Sequence, residues 1–393
     1  MDIEKKIEQL LTRSVEEIIE KNHLETAIRS GKKLRVKHGI DPTGEKIHIG
    51  RAVVLSKLKE FQELGHTIVL IIGDFTAQIG DPSDKLEKRP FLTPQQIKKN
   101  LKNYLTQIGK IINLKKTEVC YNSEWLGKLK FQEIAELAEI FSVQQMVRRR
   151  NFTERWEKEK EISLREFLYP LMQGYDSVAV KADLEIGGSD QLFNLLAGRK
   201  VQEYYGQKPQ DIMTLKMLMG LDGRKMSTSW GNVINIVDTA REQYGKIMSI
   251  KDAHLGDYIV AIAPVDKISE LQEELKKGIN PKLIKEKLAF ELVRRYHGEK
   301  EAKKAAEEFT SLFSKKNPEA LHLPTLKVKS KHISVLELIL LSGVPKSKSE
   351  ARRLIEQGAC SSNGEVKKNP SEILKLQGGE IIKVGKKDFF RMG

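Results

Sequence analysis

The chain of 393 residues is longer than one ordinary domain, so its length predicts two or three domains and a large buried core. Lys and Arg total 68 against 54 Asp and Glu, and the net charge of +14 favours a polyanionic partner such as nucleic acid, with a merely lysine-rich surface as the alternative. Cys120 and Cys360 lie far apart without CxxC spacing, so neither a disulfide framework nor a zinc site is indicated, and we expect a cytoplasmic protein.

The first residues of the chain, MDIEKKIEQLLTRSVEEIIE, predict an amphipathic helix because charged and apolar side chains recur at helical spacing. They lack the pattern of a signal peptide. No apolar run along the chain approaches the length of a membrane span, so we expect no membrane partner.

A strand, a helix and a second strand follow one another between residues 34 and 72. LRVKHGI (34–40) alternates apolar and polar residues and breaks at DPTG, as a strand entering a turn does. RAVVLSKLKEFQELG (51–65) has one apolar face and ends at glycine, which predicts a helix. TIVLII (67–72) is a continuous apolar run typical of a strand buried on both faces. Because no hairpin turn separates them, these elements predict a parallel unit of a doubly wound α/β sheet.

The rest of the chain divides by composition. Residues 131–152 and 165–180 predict mainly helices, and 182–206 predict a strand, a turn and a helix, so the α/β domain is expected to span 1–235. Three further ranges complete the prediction: a charge-laced helical domain over 236–320, a basic proline-containing linker over 321–332, and a compact α+β module over 333–393.

GIDPTGEKIHIGR (39–51) places His48 and Gly50 where the first helix of the α/β unit begins. A helix N-terminus presents free N–H groups and partial positive charge, which suit an anion. An imidazole there can hydrogen-bond a phosphate oxygen, and glycine lets the backbone approach a nucleotide. The alternative is that His48 only caps the helix.

LDGRKMSTSWGN (221–232), the KMSTS loop, combines two adjacent cations with three hydroxyl side chains and two glycines. Such a loop at the end of the same sheet could close over a triphosphate, with Lys225 neutralising charge on the leaving pyrophosphate. The alternative is an ordinary solvated loop.

The HIGR and KMSTS segments resemble the two signature motifs of class I aminoacyl-tRNA synthetases, whose usual forms are HIGH and KMSKS. With FTAQIGDPS (75–83), YPLMQGYD (169–176) and IGGSDQ (186–191), the chain is similar to the tyrosyl members over almost its whole length. The resemblance implies a Rossmann-like catalytic domain, an anticodon-side helical domain and an RNA-binding module. It also implies activation of L-tyrosine by ATP to tyrosyl-adenylate, followed by transfer of tyrosine to the 3′ end of tRNA(Tyr).

Three positions depart from the pattern of the resembled family. Arg51 replaces the last histidine of the first motif and can still donate to phosphate. Thr228 replaces the second lysine of the other motif, so Lys225 is expected to carry more of the charge, helped by Arg224. Lys37 stands where many members have a tyrosine that contacts the substrate phenol.

The resemblance assigns site residues by motif. It implies no dedicated metal site, since Mg²⁺ arrives on ATP. The catalytic residues implied are His48, Arg51 and Lys225. The ATP-binding residues implied are Asp41, Pro42, Thr43, Gly50, Gly188, Asp190, Lys225, Ser227, Thr228 and Ser229, with Gly188 and Asp190 at the ribose.

The resemblance also assigns a tyrosine-binding set. The α-amino group is implied to be held by Thr76, Asp81, Tyr169 and Gln173. A carboxylate and neutral oxygens are the partners that an ammonium group needs. Asp176 is implied to accept from the phenol hydroxyl, and Gln191 lies beside the amino-acid carboxylate. Tyr175, between two of these positions, is interpreted as a core aromatic.

The last 61 residues carry eleven Lys and Arg against seven acidic side chains, a modest excess. SKSEARRLIEQGACSSNGEV resembles the small RNA-binding module shared by a small-subunit ribosomal protein and some pseudouridine synthases. The candidate phosphate contacts are Lys346, Lys348, Arg352 and Arg353. The alternative is that ARRL forms a solvated helical face.

Three other functions stay open at this point: a tryptophanyl synthetase with the same fold and signatures, a nucleotidyltransferase with an HxGH-like motif, and an RNA-binding paralogue without catalysis. Asp176 and the C-terminal module favour tyrosine, and a nucleotidyltransferase would not need a helical domain followed by an RNA module. The resemblance implies a homodimer, with residues near 125–160 as a plausible interface.

Overall fold

The computed structural model describes residues 3–83, 91–311, 325–326, 328, 332–385 and 388–392. Contacts between residues divide the chain into two compact units, residues 1–303 and 304–393. The predicted linker over 321–332 lies largely outside the described residues.

The first unit contains a six-stranded sheet and the helices that surround it. Its strands are β1 (Val15–Ile19), β2 (Arg35–Ile40), β3 (Thr67–Ile72), β4 (Thr117–Tyr121), β5 (Leu184–Gly188) and β6 (Asp211–Leu215). Its helices before the last strand are α1 (Ile3–Thr12), α2 (Lys21–Arg29), α3 (Ile49–Glu63), α4 (Thr76–Ile79), α5 (Pro94–Leu101), α6 (Tyr104–Ile108), α7 (Ser123–Leu126), α8 (Phe131–Glu139), α9 (Val143–Val147), α10 (Arg150–Glu157), α11 (Leu164–Val180) and α12 (Leu192–Tyr204).

The sheet has the order β1-β6-β5-β2-β3-β4, and its five strands from β6 to β4 run parallel. Residues 68–72 of β3 are buried, as the continuous apolar run predicts for a strand covered on both faces. The strand–helix–strand unit β2-α3-β3 is therefore confirmed, and so is the predicted α/β class. Because the strands are parallel, their carboxyl ends meet at one edge, and ligands of such sheets bind there.

The prediction of one helix over the first twenty residues is wrong in its second half. Helix α1 ends at Thr12, Ser14 adopts a left-handed φ of 58°, and β1 then pairs antiparallel with β6. The segment VEEII is rich in β-branched residues, and Ile19 is the register partner of Ile212, far along the chain. A partner so distant in sequence overrides the helical periodicity.

From Ala240 onward, the described part of the first unit is mainly helical, as expected from its charge-laced periodicity. Ile247, Ile259, Leu288 and Leu292 are fully buried, which shows that these helices pack on a core of their own apolar faces. The helices are α13 (Ala240–Met248), α14 (Leu255–Ile262), α15 (Ile268–Lys276), α16 (Pro281–His297) and α17 (Glu299–Phe309), the last of which crosses into the second unit.

The second unit is a small α+β module with its own core. Val335, Leu338, Ala351, Ile355 and Val384 are among its buried residues. Asn363 and Gly364 both have positive φ, and they form the two-residue turn between β9 and β10. Its elements are β7 (Thr325–Leu326), β8 (His332–Ser334), α18 (Val335–Leu341), α19 (Lys348–Glu356), β9 (Cys360–Ser362), β10 (Glu365–Lys367), β11 (Ile373–Lys375), β12 (Ile381–Val384) and β13 (Asp388–Met392).

Candidate active site

One cavity lies at the carboxyl ends of β2, β3, β4 and β5, and it gathers most of the predicted site residues of the first unit. Pro42 does not line it; the Pro42 carbonyl instead accepts a hydrogen bond from Asn100 at 2.7 Å. The predicted residues that line the cavity are Asp41, Thr43, His48, Gly50, Arg51, Thr76, Asp81, Tyr169, Gln173, Asp176, Gly188, Asp190, Gln191, Lys225, Ser227, Thr228 and Ser229.

His48 is the N-cap of α3, and its Nδ1 accepts from the Arg51 backbone N–H at 3.4 Å. Burial lowers the pKa of His48 to about 3, and the charges of Arg51 and Lys225 lower it further. The ring is therefore neutral, and because Nδ1 accepts, its proton is on Nε2, which can donate to a phosphate oxygen. A Cβ at Gly50 would lie 3.0 Å from His48 Nδ1, so glycine is what permits this arrangement.

Arg51 uses its guanidinium to hold the turn that follows β2. Its Nη1 donates to the Asp41 carbonyl at 3.1 Å and to the Tyr104 hydroxyl, and its Nη2 donates to Thr43 Oγ1 at 3.1 Å. The guanidinium of Arg51 thus holds the DPT turn through two of its nitrogens. A histidine side chain is shorter and has fewer donors, so it could not make the same set of hydrogen bonds.

Asp41 is the centre of a buried hydrogen-bond network. Its carboxylate accepts from Thr76 Oγ1 at 2.8 Å and from the Tyr169 hydroxyl at 2.9 Å. Burial raises the pKa of Asp41 to about 6, against the effect of these two donors. Thr76 and Tyr169, both predicted to hold the substrate ammonium, therefore donate to Asp41. The resemblance had implied only ATP binding for Asp41.

A second network surrounds Asp81. Gln191 Nε2 donates to Asp81 Oδ2 at 2.7 Å, and the Ser83 hydroxyl donates to Asp81 Oδ1 at 2.7 Å. Behind them, Arg149 donates to Ser83 Oγ at 3.0 Å and to Asn194 Oδ1 at 3.1 Å. Sequence reasoning missed Arg149 and Asn194, because nothing local distinguishes them from surface polar residues.

Asp176 projects from α11 into the cavity as a fully buried carboxylate. It accepts from Trp125 Nε1 at 2.7 Å and from Asn122 Nδ2 at 3.3 Å. Burial raises the pKa of Asp176 to about 7, and the charge of Lys37 opposes that rise. Asn122 and Trp125 were also missed; the signal for Asn122 was its place directly after β4, at the sheet edge where sites form.

The KMSTS loop lies along the cavity, and hydrogen bonds between Asn232 and other residues of the loop stabilise it. Asn232 Nδ2 donates to Asp222 Oδ1 at 2.7 Å and to the Lys225 carbonyl at 3.0 Å, while its Oδ1 accepts from the Ser227 N–H at 2.9 Å. A Cβ at Gly220 would lie 2.4 Å from Asn232 Nδ2, so glycine is needed for this close packing.

Two cations of the loop have different partners. Lys225 hydrogen-bonds Asp190 inside the cavity. Arg224 forms an ion pair with Asp222 at 2.6 Å and lies over the Trp230 ring at 4.5 Å. Arg224 does not line the cavity. This geometry therefore gives no support to the expectation that Arg224 adds positive charge beside Lys225.

The predicted RNA contacts lie in the second unit around the start of α19. Lys346, Lys348, Arg352 and Arg353 are all exposed, whereas Ala351 on the same helix is buried. Ser347 caps the helix by accepting from the Glu350 N–H at 3.1 Å. The helix thus has one face in the core and presents its cations to solvent.

Comparison with family models gives two matches. Residues 29–314 match the model described as class I tRNA synthetases (W and Y), and residues 337–382 match the S4 domain. A relative in Thermotoga maritima named tyrosine–tRNA ligase is 44% identical, over 98% of this chain and 96% of its own. The chain belongs to the tyrosine–tRNA ligase family.

A second relative of that name, from Carboxydothermus hydrogenoformans, is 45% identical over 96% of this chain and 93% of its own. The solved tyrosyl-tRNA synthetase of Archaeoglobus fulgidus, complexed with L-tyrosine, aligns with a TM-score of 0.62 at 22% identity, covering 78% of this chain and 100% of that chain, which shows the shared fold. The predicted family, enzyme class and activity are confirmed, and the tryptophanyl alternative is not favoured. Among the helices of the described residues, none combines the length and the apolar composition of a membrane-spanning segment.

Proposed function

We propose that the cavity binds ATP and L-tyrosine side by side and joins them into tyrosyl-adenylate, whose tyrosyl group then passes to the 3′ end of tRNA(Tyr). The observation that carries the proposal is the meeting, in one cavity, of two loops suited to a triphosphate with the buried carboxylate of Asp176, suited to a phenol hydroxyl. The test is aminoacylation of tRNA with single labelled amino acids. Labelling by tyrosine is expected; labelling by tryptophan alone, or none, would point to the tryptophanyl or inactive alternatives.

The nucleotide half of the cavity is formed by the start of α3, the turn after β5 and the KMSTS loop. His48 Nε2 and the α3 N-terminus donate to phosphate oxygens, with Gly50 allowing close approach. The Asp190 carboxylate accepts from the ribose hydroxyls beside Gly188. Lys225 supplies positive charge, and the hydroxyl-bearing residues Ser227, Thr228 and Ser229 supply neutral donors.

The tyrosine half lies against α11 and the turn after β3. The ammonium group of the substrate is held between the carboxylates of Asp41 and Asp81, with Thr76, Tyr169 and Gln173 completing its surroundings. The phenol hydroxyl donates to Asp176, which Trp125 and Asn122 hold in place. Gln191 lies beside the substrate carboxylate, which faces the nucleotide half.

The reaction is an in-line displacement at phosphorus. A carboxylate oxygen of tyrosine attacks the α-phosphorus of ATP, the bond from that phosphorus to the oxygen bridging to the β-phosphate breaks, and pyrophosphate leaves. No protein nucleophile takes part, so positioning and electrostatic stabilisation provide the acceleration. Charge accumulates on the pyrophosphate, where Lys225 neutralises it. Mg²⁺ is expected to arrive with ATP as part of the substrate.

The C-terminal module is proposed to bind tRNA(Tyr) through the cations around α19. The S4 match and the exposure of Lys346, Lys348, Arg352 and Arg353 support this role. Contacts from such side chains to phosphates add affinity without reading sequence. The division into a catalytic domain (1–235), an anticodon-side helical domain (236–320), a linker (321–332) and an RNA-binding module (333–393) is part of this proposal.

A homodimer is proposed to form through the region near residues 125–160. Phe131 is 87% exposed and Leu164, just beyond that region, is 79% exposed, so each leaves a large apolar side chain in water. Val143 and Trp156 between them are exposed as well. A sedimentation mass near that of one chain, 44.8 kDa, would exclude the dimer, and Phe131→Asp is expected to shift the mass toward that value.

Because tRNA and ATP are substrates, we place the reaction in the cytoplasm.

A further inference from the structure

Lys37 and Glu185 form an ion pair buried behind the tyrosine half of the cavity. They are register partners in the adjacent parallel strands β2 and β5, their side chains are 0% and 1% exposed, and Nζ lies 3.0 Å from Oε1. Removing two charges from water costs free energy that their attraction rarely exceeds, so such a pair is poorly explained by stability alone.

The Lys37 ammonium also reaches one turn of α11. It donates to the Gln173 carbonyl at 2.8 Å and to Ser177 Oγ at 2.7 Å, so with Glu185 all three of its N–H bonds have partners. Glu185 contacts the same turn, because Gln173 Nε2 donates to its Oε1 at 3.1 Å and Ser177 Oγ to its Oε2 at 3.3 Å. The pair thus fastens residues 173–177 of the helix to two strands of the sheet.

That turn carries two of the side chains proposed to recognise tyrosine. Gln173 and Asp176 both line the cavity, whereas Lys37 and Glu185 do not. The positive charge of Lys37 lowers the pKa of Asp176, and the negative charge of Glu185 raises it, so both members act on this carboxylate through space. Any shift of the turn would move Gln173 and Asp176 together.

We propose that Lys37 and Glu185 are positioning residues for tyrosine recognition, holding the 173–177 turn of α11 so that Gln173 and Asp176 meet the substrate. The inference rests on the proposed function of the cavity. It also gives Lys37 a role that differs from the contact with the substrate phenol that the resemblance implies for the tyrosine found at this position in many members of the family. Here the residue at that position acts through the helix and leaves the phenol to Asp176.

The test compares Lys37→Met with wild type in tyrosine-dependent ATP–pyrophosphate exchange by the full-length protein. Loss of hydrogen bonds from a buried charged group is expected to raise the KM for tyrosine about tenfold or more, with the KM for ATP changed by less than about twofold. Discrimination between tyrosine and phenylalanine is expected to fall in the same variant. An unchanged KM for tyrosine would overturn the proposal.

A double variant, Lys37→Met with Glu185→Gln, guards against simple unfolding. It removes both buried charges, so thermal stability is expected to return toward wild type while the KM for tyrosine stays raised. A double variant with a wild-type KM for tyrosine would show that the pair serves folding only, and would equally overturn the proposal.

Lys57→Met is the matched control. Lys57 is 2% exposed, donates to the Leu10 carbonyl at 2.8 Å and to Glu60 Oε2 at 2.7 Å, and does not line the cavity. Its loss is expected to lower stability and leave both KM values near wild type; a rise in the KM for tyrosine equal to that of Lys37→Met would contradict the positioning role. Absence of tyrosine-dependent exchange in wild type would instead refute the proposed function itself.

Discussion

Lys225 of the KMSTS loop donates a hydrogen bond to Asp190, which lies two residues after the end of β5. The carboxylate that holds the lysine is the one proposed to accept from the ribose hydroxyls of ATP. Ribose hydroxyls and the ammonium therefore compete for the oxygens of Asp190. Binding of the nucleotide thus provides a physical means of transferring Lys225 from Asp190 to the phosphates.

Replacing Lys225 by alanine is expected to slow tyrosyl-adenylate formation by about a hundredfold or more, because a charge used mainly in the transition state is lost. Tyrosine affinity is expected to stay near wild type. Single-turnover measurement of adenylate formation checks this. The matched control is Arg224→Ala, since Arg224 is 60% exposed and paired with Asp222, and its loss is expected to have little effect. An unchanged rate in Lys225→Ala would show that the loop takes no part in the chemistry.

Asp176→Ala is expected to erode discrimination against phenylalanine. A buried site built to bind a hydroxyl leaves its own polar group unpaired when the hydroxyl is missing, and tyrosyl enzymes are the usual illustration of this rule. The ratio of kcat/KM for tyrosine over phenylalanine measures the effect. Tyr175→Phe is the control, because that ring packs edge-on against Tyr205 at 5.4 Å and is absent from the cavity lining. Undiminished discrimination in Asp176→Ala would place phenol recognition elsewhere.

Tyrosine binding is expected to weaken as the pH falls through about 6. Asp41 has a pKa raised to about 6 by burial, so its carboxylate is charged above that pH and neutral below it. The neutral form no longer attracts the substrate ammonium. The measurement is equilibrium binding of tyrosine without ATP, compared between wild type and Asp41→Asn. The comparison separates the titration of Asp41 from that of Asp176, whose pKa burial raises to about 7. If both proteins showed the same pH profile, Asp41 would not contact the ammonium.

Reversing two charges on α19, Arg352→Glu with Arg353→Glu, is expected to weaken tRNA aminoacylation while leaving pyrophosphate exchange near wild type. Both side chains are exposed and the helix belongs to the second unit. Because phosphate contacts release counterions, the defect should shrink as salt rises. Lys375→Glu on β11, exposed in the same unit, is the control. Equal loss of exchange and aminoacylation would indicate a structural role for the helix.

Local patterns predicted those parts of the fold that depend on near neighbours. The strand 67–72 was predictable because its burial on both faces requires a continuous apolar run. The strand Val15–Ile19 was not, because its partner β6 lies nearly two hundred residues later in the chain. Periodicity reports the face of an element and not the element it will pair with.

The site follows the same rule. His48, Lys225 and Asp176 were identified because each belongs to a short contiguous motif that resembles the family's, and His48 also begins a helix. The bond from Trp125 to Asp176 joins residues 51 positions apart, and no local pattern signals it. The hydrogen bond from Arg51 to the Tyr104 hydroxyl joins residues 53 positions apart, and no local pattern signals it either.

ATP–pyrophosphate exchange with purified full-length protein, run without tRNA and with each amino acid singly, tests the central claim most directly. It reports the reversible formation of aminoacyl-adenylate in the cavity and depends on no RNA contact. Tyrosine is predicted to support exchange, and tryptophan is predicted to support none. Exchange supported by tryptophan and not by tyrosine would contradict the account.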